Sequence, residues 1–414
     1  MATAAPHLAH PPRRMTGPQW IFLSLLVLSV FINYIDRGSV GIAGPLLQRE
    51  LKLDPYEFGK LAAAFFWTYA PMQIVSGWLV DRFNVNHVYA AGFFVWSVAT
   101  LITGSISTAA ELMLLRLVLG IGESVAYPAY SKIISANFPE HHRGLANGLI
   151  DAGSKMGPAL GVLLGGLFMA DYGWRVFFWS MGFASLLWLI PWFIWAPKDR
   201  IVELKDRVPT PSIGQILKLR AAWGNYLGLL CANYVWYFIL LWLPSYFVNE
   251  RHYTPKQMGV LGSLPYWSVA LASSISGIMA DRFISRGGQP VRVRKAFIGG
   301  GLMLSTLILP AAMVKDQTIS LVLLSLGCFA FGFFSSNHWA LAQTLAGPLA
   351  AGKWTGLANA IGNIPGVLGP WFTGWVVKET GEYYYAFVVC AIFAVLGTIS
   401  YVFVIDRYET VKWT

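Results

Sequence analysis

Charged residues are scarce in this chain: only 12% of its 414 residues are Asp, Glu, Lys or Arg, about half the share typical of soluble domains. A soluble two-domain enzyme is excluded on that ground. Cysteine is nearly absent, and Cys231, Cys328 and Cys390 each lie inside an apolar run. They read as small core or lipid-facing residues and not as a disulfide framework or a zinc site. The chain has no Gly-rich phosphate loop ending in Lys-Ser/Thr, no His-x-x-x-His pair and no long extramembrane segment, so nothing points to a membrane-bound enzyme or sensor. His141-His142 beside Glu140 is too short a constellation to argue for a metal. Basic residues outnumber acidic ones, 30 to 20, but they are spread over many short hydrophilic loops, which excludes a nucleic-acid-binding face.

What the chain has in abundance is apolar sequence: 56% of residues are hydrophobic and the mean hydropathy is +0.55. A spanning helix takes about 20 apolar residues, and twelve such runs lie between residues 18 and 405. The expected fold class is an all-α polytopic membrane protein of twelve transmembrane helices in two pseudo-symmetric six-helix bundles. Residues 1–17 read as a cytoplasmic tail and not a signal peptide. Residues 18–196 make the first bundle, 197–221 a cytoplasmic linker, 222–405 the second bundle and 406–414 a second cytoplasmic tail. The linker is marked by six Lys/Arg between Lys198 and Arg220 with acids interspersed, and by Pro209 and Pro211. With both ends inside, the inner segments carry 18 Lys/Arg and the outer ones about 8, as the positive-inside rule requires.

The halves repeat one another. Gly77-Trp-Leu-Val-Asp81-Arg82-Phe83 recurs 200 residues later as Gly277-Ile-Met-Ala-Asp281-Arg282-Phe283, and Gly144-Leu-Ala-Asn147 recurs as Gly356-Leu-Ala-Asn359. Parallel six-helix repeats with a midplane site between them are a transporter architecture. The duplicated Gly-x-x-x-Asp-Arg loop resembles the signature of the major facilitator superfamily. Asn33-Tyr34-Ile35-Asp36-Arg37, Gly122-Glu123-Ser124 leading to Tyr127-Pro128, and Trp339 followed by Asn359 resemble its anion:cation symporter branch. That branch holds bacterial sugar-acid permeases and animal vesicular organic-anion transporters. The resemblance implies that Asp36 and Glu123 carry the coupled proton and that the adjacent Arg37 binds the substrate carboxylate.

The residues themselves support the same division. Asp36 and Arg37 lie about two-thirds along an apolar run, where an isolated charge costs about 2.5–3.5 kcal/mol or more, and they point about 100° apart on the helix. Arg116 and Glu123 are seven residues apart, two turns on one face and about 10 Å along the axis. Arg116 is close enough to an outer loop to be a snorkelling anchor; Glu123 is deeper, and a carboxyl in low dielectric can exchange a proton near neutral pH. Asp151 and Lys155 form an i,i+4 acid-base pair, either self-neutralised or presenting Lys155 to an anion. The family usually has a polar amide near this point, so Lys155 is a departure. Tyr34, Tyr69, Gln73, Ser336, Trp339 and Asn359 are the other candidate substrate contacts, and the role of His338 is open. Asp81, Arg82, Arg143, Asp281 and Arg282 are the candidate gating charges, bonding helix ends while the cytoplasmic side is shut.

The function expected from these observations is import of a small organic anion, a sugar acid or other monocarboxylate, together with protons, by alternating access. No cofactor or metal is expected beyond the proton as coupling ion, and the partners are substrate, protons and lipid, with the monomer as working unit. The expected location is the bacterial inner membrane. A drug- or siderophore-exporting antiporter and an uncoupled anion uniporter or exchanger are the competing readings.

Overall fold

The computed structural model describes residues 15–138, 140–196 and 211–413. The proposed first tail and most of the proposed linker lie outside them. Every regular element among the described residues is helical.

Helix starts follow local chemistry. α1 (Gly17–Glu50) opens on a capping box between Thr16 and Gln19, and α2 (Pro55–Arg82) on one between Asp54 and Glu57, each with proline in its first turn. α3 covers Val85–Thr103, and α4 is made of Ala109–Glu123 and Ala126–Asn137 with a break between them. The helical stretch Glu140–Trp195 turns sharply at Gly173, where φ is +79°, giving α5 (140–172) and α6 (174–195). That left-handed backbone suits glycine alone among common residues. The second half repeats the plan. α7 is Arg220–Ser245 with a π-helical end at Tyr246–Glu250; α8 is Pro255–Val260 with Leu264–Ser285; α9 is Pro290–Ser305 with Ile308–Met313. Gln317–Gly362 turns at Gly347, φ +66°, into α10 (317–346) and α11, which continues through Ile364–Thr380. α12 is Tyr384–Ile399 with a π-helical end at Ser400–Val404.

Among the described residues, eight helices are long and apolar enough to cross a membrane, with Ala146–Trp195 counted as one. The rods outside that set include α2, which is continuous with Pro71 inside it, and α4, which breaks after Glu123.

α1 packs on α5, α4 on α2 and α3, and α6 on α3; in the second half α10 packs on α8 and α9, and α7 on α10, α11 and α12. Across the halves, α1 meets α7, α2 meets α11 and α5 meets α8. These cross-contacts cluster on the far face, where α1 ends. There Gly41 lies against the backbone of Leu240 and Leu241, Gly59 against Pro370, and Gly166 against Gly259. Gln48 Nε2 donates to Ser245 Oγ at 3.1 Å, and Lys378 pairs with Asp54 at 2.9 Å. On the near face, where α1 begins, a Cβ added at Gly77, Gly148 or Gly356 would meet no atom within 4 Å. Among the described residues, the close contacts between the halves therefore lie on the far face.

The last residues are not loose. Thr410 Oγ1, Val411 N and Trp413 Nε1 donate to the carbonyls of Thr344, Leu345 and Ala346 at 2.9, 2.9 and 2.7 Å, satisfying the end of α10 left open by the turn at Gly347.

Candidate substrate and coupling site

Four charged side chains are buried together in the first half: Asp36 and Arg37 on α1, Arg116 and Glu123 on α4. Close helix approach assembles them. Gly120 lies against the Phe65 carbonyl and Thr68 on α2, and Gly122 lies against Gly92 and Trp96 on α3. Thr68 Oγ1 donates to the Leu117 carbonyl at 2.7 Å. The first segment of α4 ends at Glu123 itself, which is thereby held between α1, α2 and α3.

Arg37 donates through Nη2 and Nε to Glu123 Oε2 at 2.9 and 3.2 Å, and Nη2 also reaches Asn33 Oδ1 at 3.4 Å. Its guanidinium lies 4.9, 5.2 and 4.6 Å from the ring centres of Tyr34, Phe65 and Tyr69. Such an aromatic cage holds a cation while shielding it from water. Arg116 approaches Phe65 at 5.0 Å and donates to the Ala62 carbonyl at 3.3 Å, so one ring separates two guanidinium groups. Arg116 Nε and Nη1 have no hydrogen-bond partner among the described residues. Asp36 turns toward Thr100 on α3, and its carboxylate oxygens make no well-aligned hydrogen bond among the described residues.

The opposite wall is neutral. Tyr237 donates to Asn363 Oδ1 at 2.8 Å, Asn363 Nδ2 to the Asn359 carbonyl at 2.8 Å, and Asn359 Nδ2 across the halves to Gln73 Oε1 at 3.2 Å. Tyr237 also meets Phe66 of α2, with ring centres 4.6 Å apart. Trp339 is half-buried beside His338, 4.4 Å between ring centres.

Several expected roles find different settings. Arg116 is buried and is no snorkelling anchor. Ser336 bonds Ser276 Oγ at 2.8 Å, fastening α10 to α8. Asp151 and Lys155 make no ion pair among the described residues; the Lys155 ammonium lies 5.5 Å from the Trp236 ring centre. Among the gating charges, Asp281 pairs at 3.0 Å with Arg294 of its own half, and Arg282 is exposed, as is Arg82. Among the described residues neither Arg82 nor Arg282 makes an ion pair. The side chains of Asp81 and Arg143 lie outside the described residues.

Sequence reasoning passed over four residues. Phe65 stands one turn from Tyr69, a helical spacing that marks a shared face. Tyr127 bonds Tyr34 at 2.7 Å between hydroxyls and was visible only as part of a motif. Trp236 and Arg294 gave no signal beyond their residue type.

A helical bundle of this kind, with charge buried between two halves whose close contacts lie on one face, defines a membrane transporter and not an enzyme. The sequence matches the Major Facilitator Superfamily over residues 26–370, and the chain belongs to that family. It is similar to a Bacillus subtilis protein named as a probable galactarate/D-glucarate transporter, GudP, at 28% identity over 97% of this chain and 95% of that one. It is also 28% identical to a probable sulfoacetate transporter, SauU, of Cupriavidus necator over 93% of each, and to a D-galactonate transporter of Escherichia coli over 97% and 98%. In fold it resembles the crystal structure of a bacterial homologue of the human lysosomal transporter Spinster in an inward-facing, occupied conformation, with a TM-score of 0.79, 17% identity and coverage of 94% and 97%. The expected family and all-helical fold class are borne out, and the chain is a multi-pass membrane transporter.

Proposed function

We propose that the chain is a proton-coupled symporter that imports a small organic anion, a sugar acid or another small carboxylate, by alternating access. The observation that carries this reading is the buried Arg37–Glu123 pair, 2.9 Å long, with the partly unsatisfied Arg116 beside it. While Glu123 is ionised it occupies the guanidinium that an anion needs. A proton on Glu123 weakens that bond, and the substrate carboxylate takes its place; Asp36, buried with no ion pair and no well-aligned hydrogen bond among the described residues, takes up the second proton. Because the proton on Glu123 frees the arginine that the anion needs, proton and anion load together before the halves rock.

Protons are needed on physical grounds. An inside-negative potential opposes an entering anion by about 2.3 kcal/mol per charge per 100 mV, and two protons make import of a monoanion electrically favourable. The relatives' names support the substrate class. In this reading the near face is cytoplasmic, both ends of the chain lie inside a bacterial inner membrane, and two six-helix units joined through 197–221 rock about the site in a working monomer. Proteoliposomes holding the purified protein test it: an inward proton gradient should drive accumulation of labelled galactarate, glucarate, galactonate or sulfoacetate, and collapse of the gradient should abolish it. Uptake that only equilibrates, with or without a gradient, refutes the coupling.

A further inference from the structure

An ammonium group without a counter-ion lies in the wall between the two halves. No carboxylate of the described residues comes within 4.0 Å of Lys155, Asp151 one turn before it included. Lys155 faces Trp236 of α7 across the interface, 5.5 Å from the ring centre, and Trp236 in turn stacks on Phe331 of α10, the helix that carries His338, with ring centres 6.2 Å apart. His338 is buried, and its Nδ1 lies 2.8 Å from the Ser335 carbonyl. That nitrogen must carry the hydrogen, which makes Nε2 an acceptor. Nε2 has no partner among the described residues. Lys155 is half-buried with no acid of its own, and the His338 acceptor is buried without a donor among the described residues; an anionic group and a hydroxyl would supply what each lacks.

The heights agree. Gly157 of α5 lies against Tyr34 of α1, and these two helices run parallel. Lys155 is two residues below that level and Arg37 three above it, an offset of roughly 7–8 Å along the axes. A small molecule with an anionic group at each end can meet both.

We propose that Lys155, with Trp236 and His338, forms a second anion subsite, and that the transported molecule is a hydroxylated dianion. One carboxylate sits on Arg37, the other anionic group on Lys155, and a hydroxyl donates to His338 Nε2. The inference rests on the reading that Arg37 takes a carboxylate, and it replaces a monocarboxylate substrate by a doubly charged one.

Matched probes test it, each pair differing in one anionic group: galactarate and galactonate, glucarate and gluconate, sulfoacetate and acetate. Calorimetric titration of the purified full chain should show at least one dianion bound about 10-fold or more tighter than its monoanionic partner. Lys155→Met should weaken that dianion about 10- to 100-fold, as expected for a lost charge-assisted bond, and change the monoanion by less than about twofold. Lys155→Arg should keep the preference. Equal losses for both members of a pair, or no preference in the unaltered protein, would overturn the subsite. If the Met variant does not fold, the preference of the unaltered protein and its retention in Lys155→Arg decide. Absence of binding for every probe would instead remove the anion-transport reading, whereas monoanion binding that vanishes in Arg37→Gln with no dianion preference would leave that reading intact and sink only this one.

Discussion

Replacing Glu123 by glutamine should make the protein bind its substrate more tightly while disabling it as an accumulator. In the native protein an incoming carboxylate competes with Glu123 for Arg37, across bonds of 2.9 and 3.2 Å between side chains no more than 5% exposed. Bonds to charged groups are worth about 1.5–3 kcal/mol each, and a neutral amide keeps about half of that. Glu123→Gln therefore relieves the competition by about 1.5–3 kcal/mol, a roughly 10- to 150-fold lower Kd at pH values where Glu123 is ionised. As pH falls and Glu123 is protonated in the unaltered protein, the two Kd values should converge. Titration calorimetry across a pH series reads this directly. Counterflow exchange in proteoliposomes should persist in the variant, and proton-driven accumulation should be lost. A variant Kd equal to or weaker than that of the unaltered protein at every pH would refute the competition, and retained accumulation would take Glu123 out of the proton path.

Arg37→Gln should weaken anion binding at least 100-fold and destabilise the protein by about 3–5 kcal/mol, because Glu123 is left buried and unpaired; adding Glu123→Gln should recover the stability but not the binding, a pattern that denaturant unfolding with calorimetry can check. At the far face, burial favours the protonated form of Asp54, but the bonds from Lys378 and from the Glu57 and Tyr56 amides outweigh it and hold the carboxyl below its ordinary value of 3.8. The contribution of this ion pair to the sealed state is thus present at neutral pH and lost only as pH falls through the lowered value, so closure should not vary with this group between about pH 5 and 8. Asp54→Asn should shift spin-label distances across the far face toward opening by less than about fivefold in population, and added salt should mimic it. Deleting residues 410–413 removes three hydrogen bonds from the end of α10 and should cost about 2–4 kcal/mol in unfolding free energy.

Depth in the membrane was legible in the sequence and rotation was not. The apolar runs located the helices, and the adjacency of Asp36 and Arg37 put them about 100° apart on α1 without saying which helix each would face. That Arg37 would meet Glu123, 86 residues on, depends on how closely α4 approaches its neighbours at Gly120 and Gly122. An apolar helix has no hydrophobic periodicity from which that rotation can be read. The same gap explains Ser336, which looked like a cavity residue but fastens α8 to α10, and Lys155, whose partner is Trp236 of the other half and not Asp151 of its own helix. Helix ends were hidden for a different reason: α1 continues to Glu50 after its apolar run stops near 42, because backbone hydrogen bonding does not end where hydrophobicity does. The Asp281–Arg294 pair was out of reach because both charges read equally well as ordinary loop residues.

The distribution of charge between the halves predicts how function should divide. Asp36, Arg37, Arg116, Glu123 and Lys155 all belong to the first half, whereas the second half meets them with Trp236, Tyr237, His338, Asn359 and Asn363. If the halves rock as units, the groups that trade proton for anion keep their mutual distances on both sides of the cycle, so coupling need not depend on which face is open. The second half then sets fit. Asn359 is the sharpest place to separate the two, because its Nδ2 holds Gln73 of the first half at 3.2 Å while its carbonyl receives Asn363 at 2.8 Å. Asn359→Ala keeps the backbone carbonyl and removes the bridge, a loss of about 0.5–1.5 kcal/mol for a neutral bond, or roughly 2- to 13-fold in affinity. The number of protons carried per substrate, measured as the ratio of proton to labelled-substrate uptake in proteoliposomes, should not change. A changed proton-to-substrate ratio in Asn359→Ala would mean that coupling extends into the second half, and the assignment of the exchange to Arg37 and Glu123 alone would have to be abandoned.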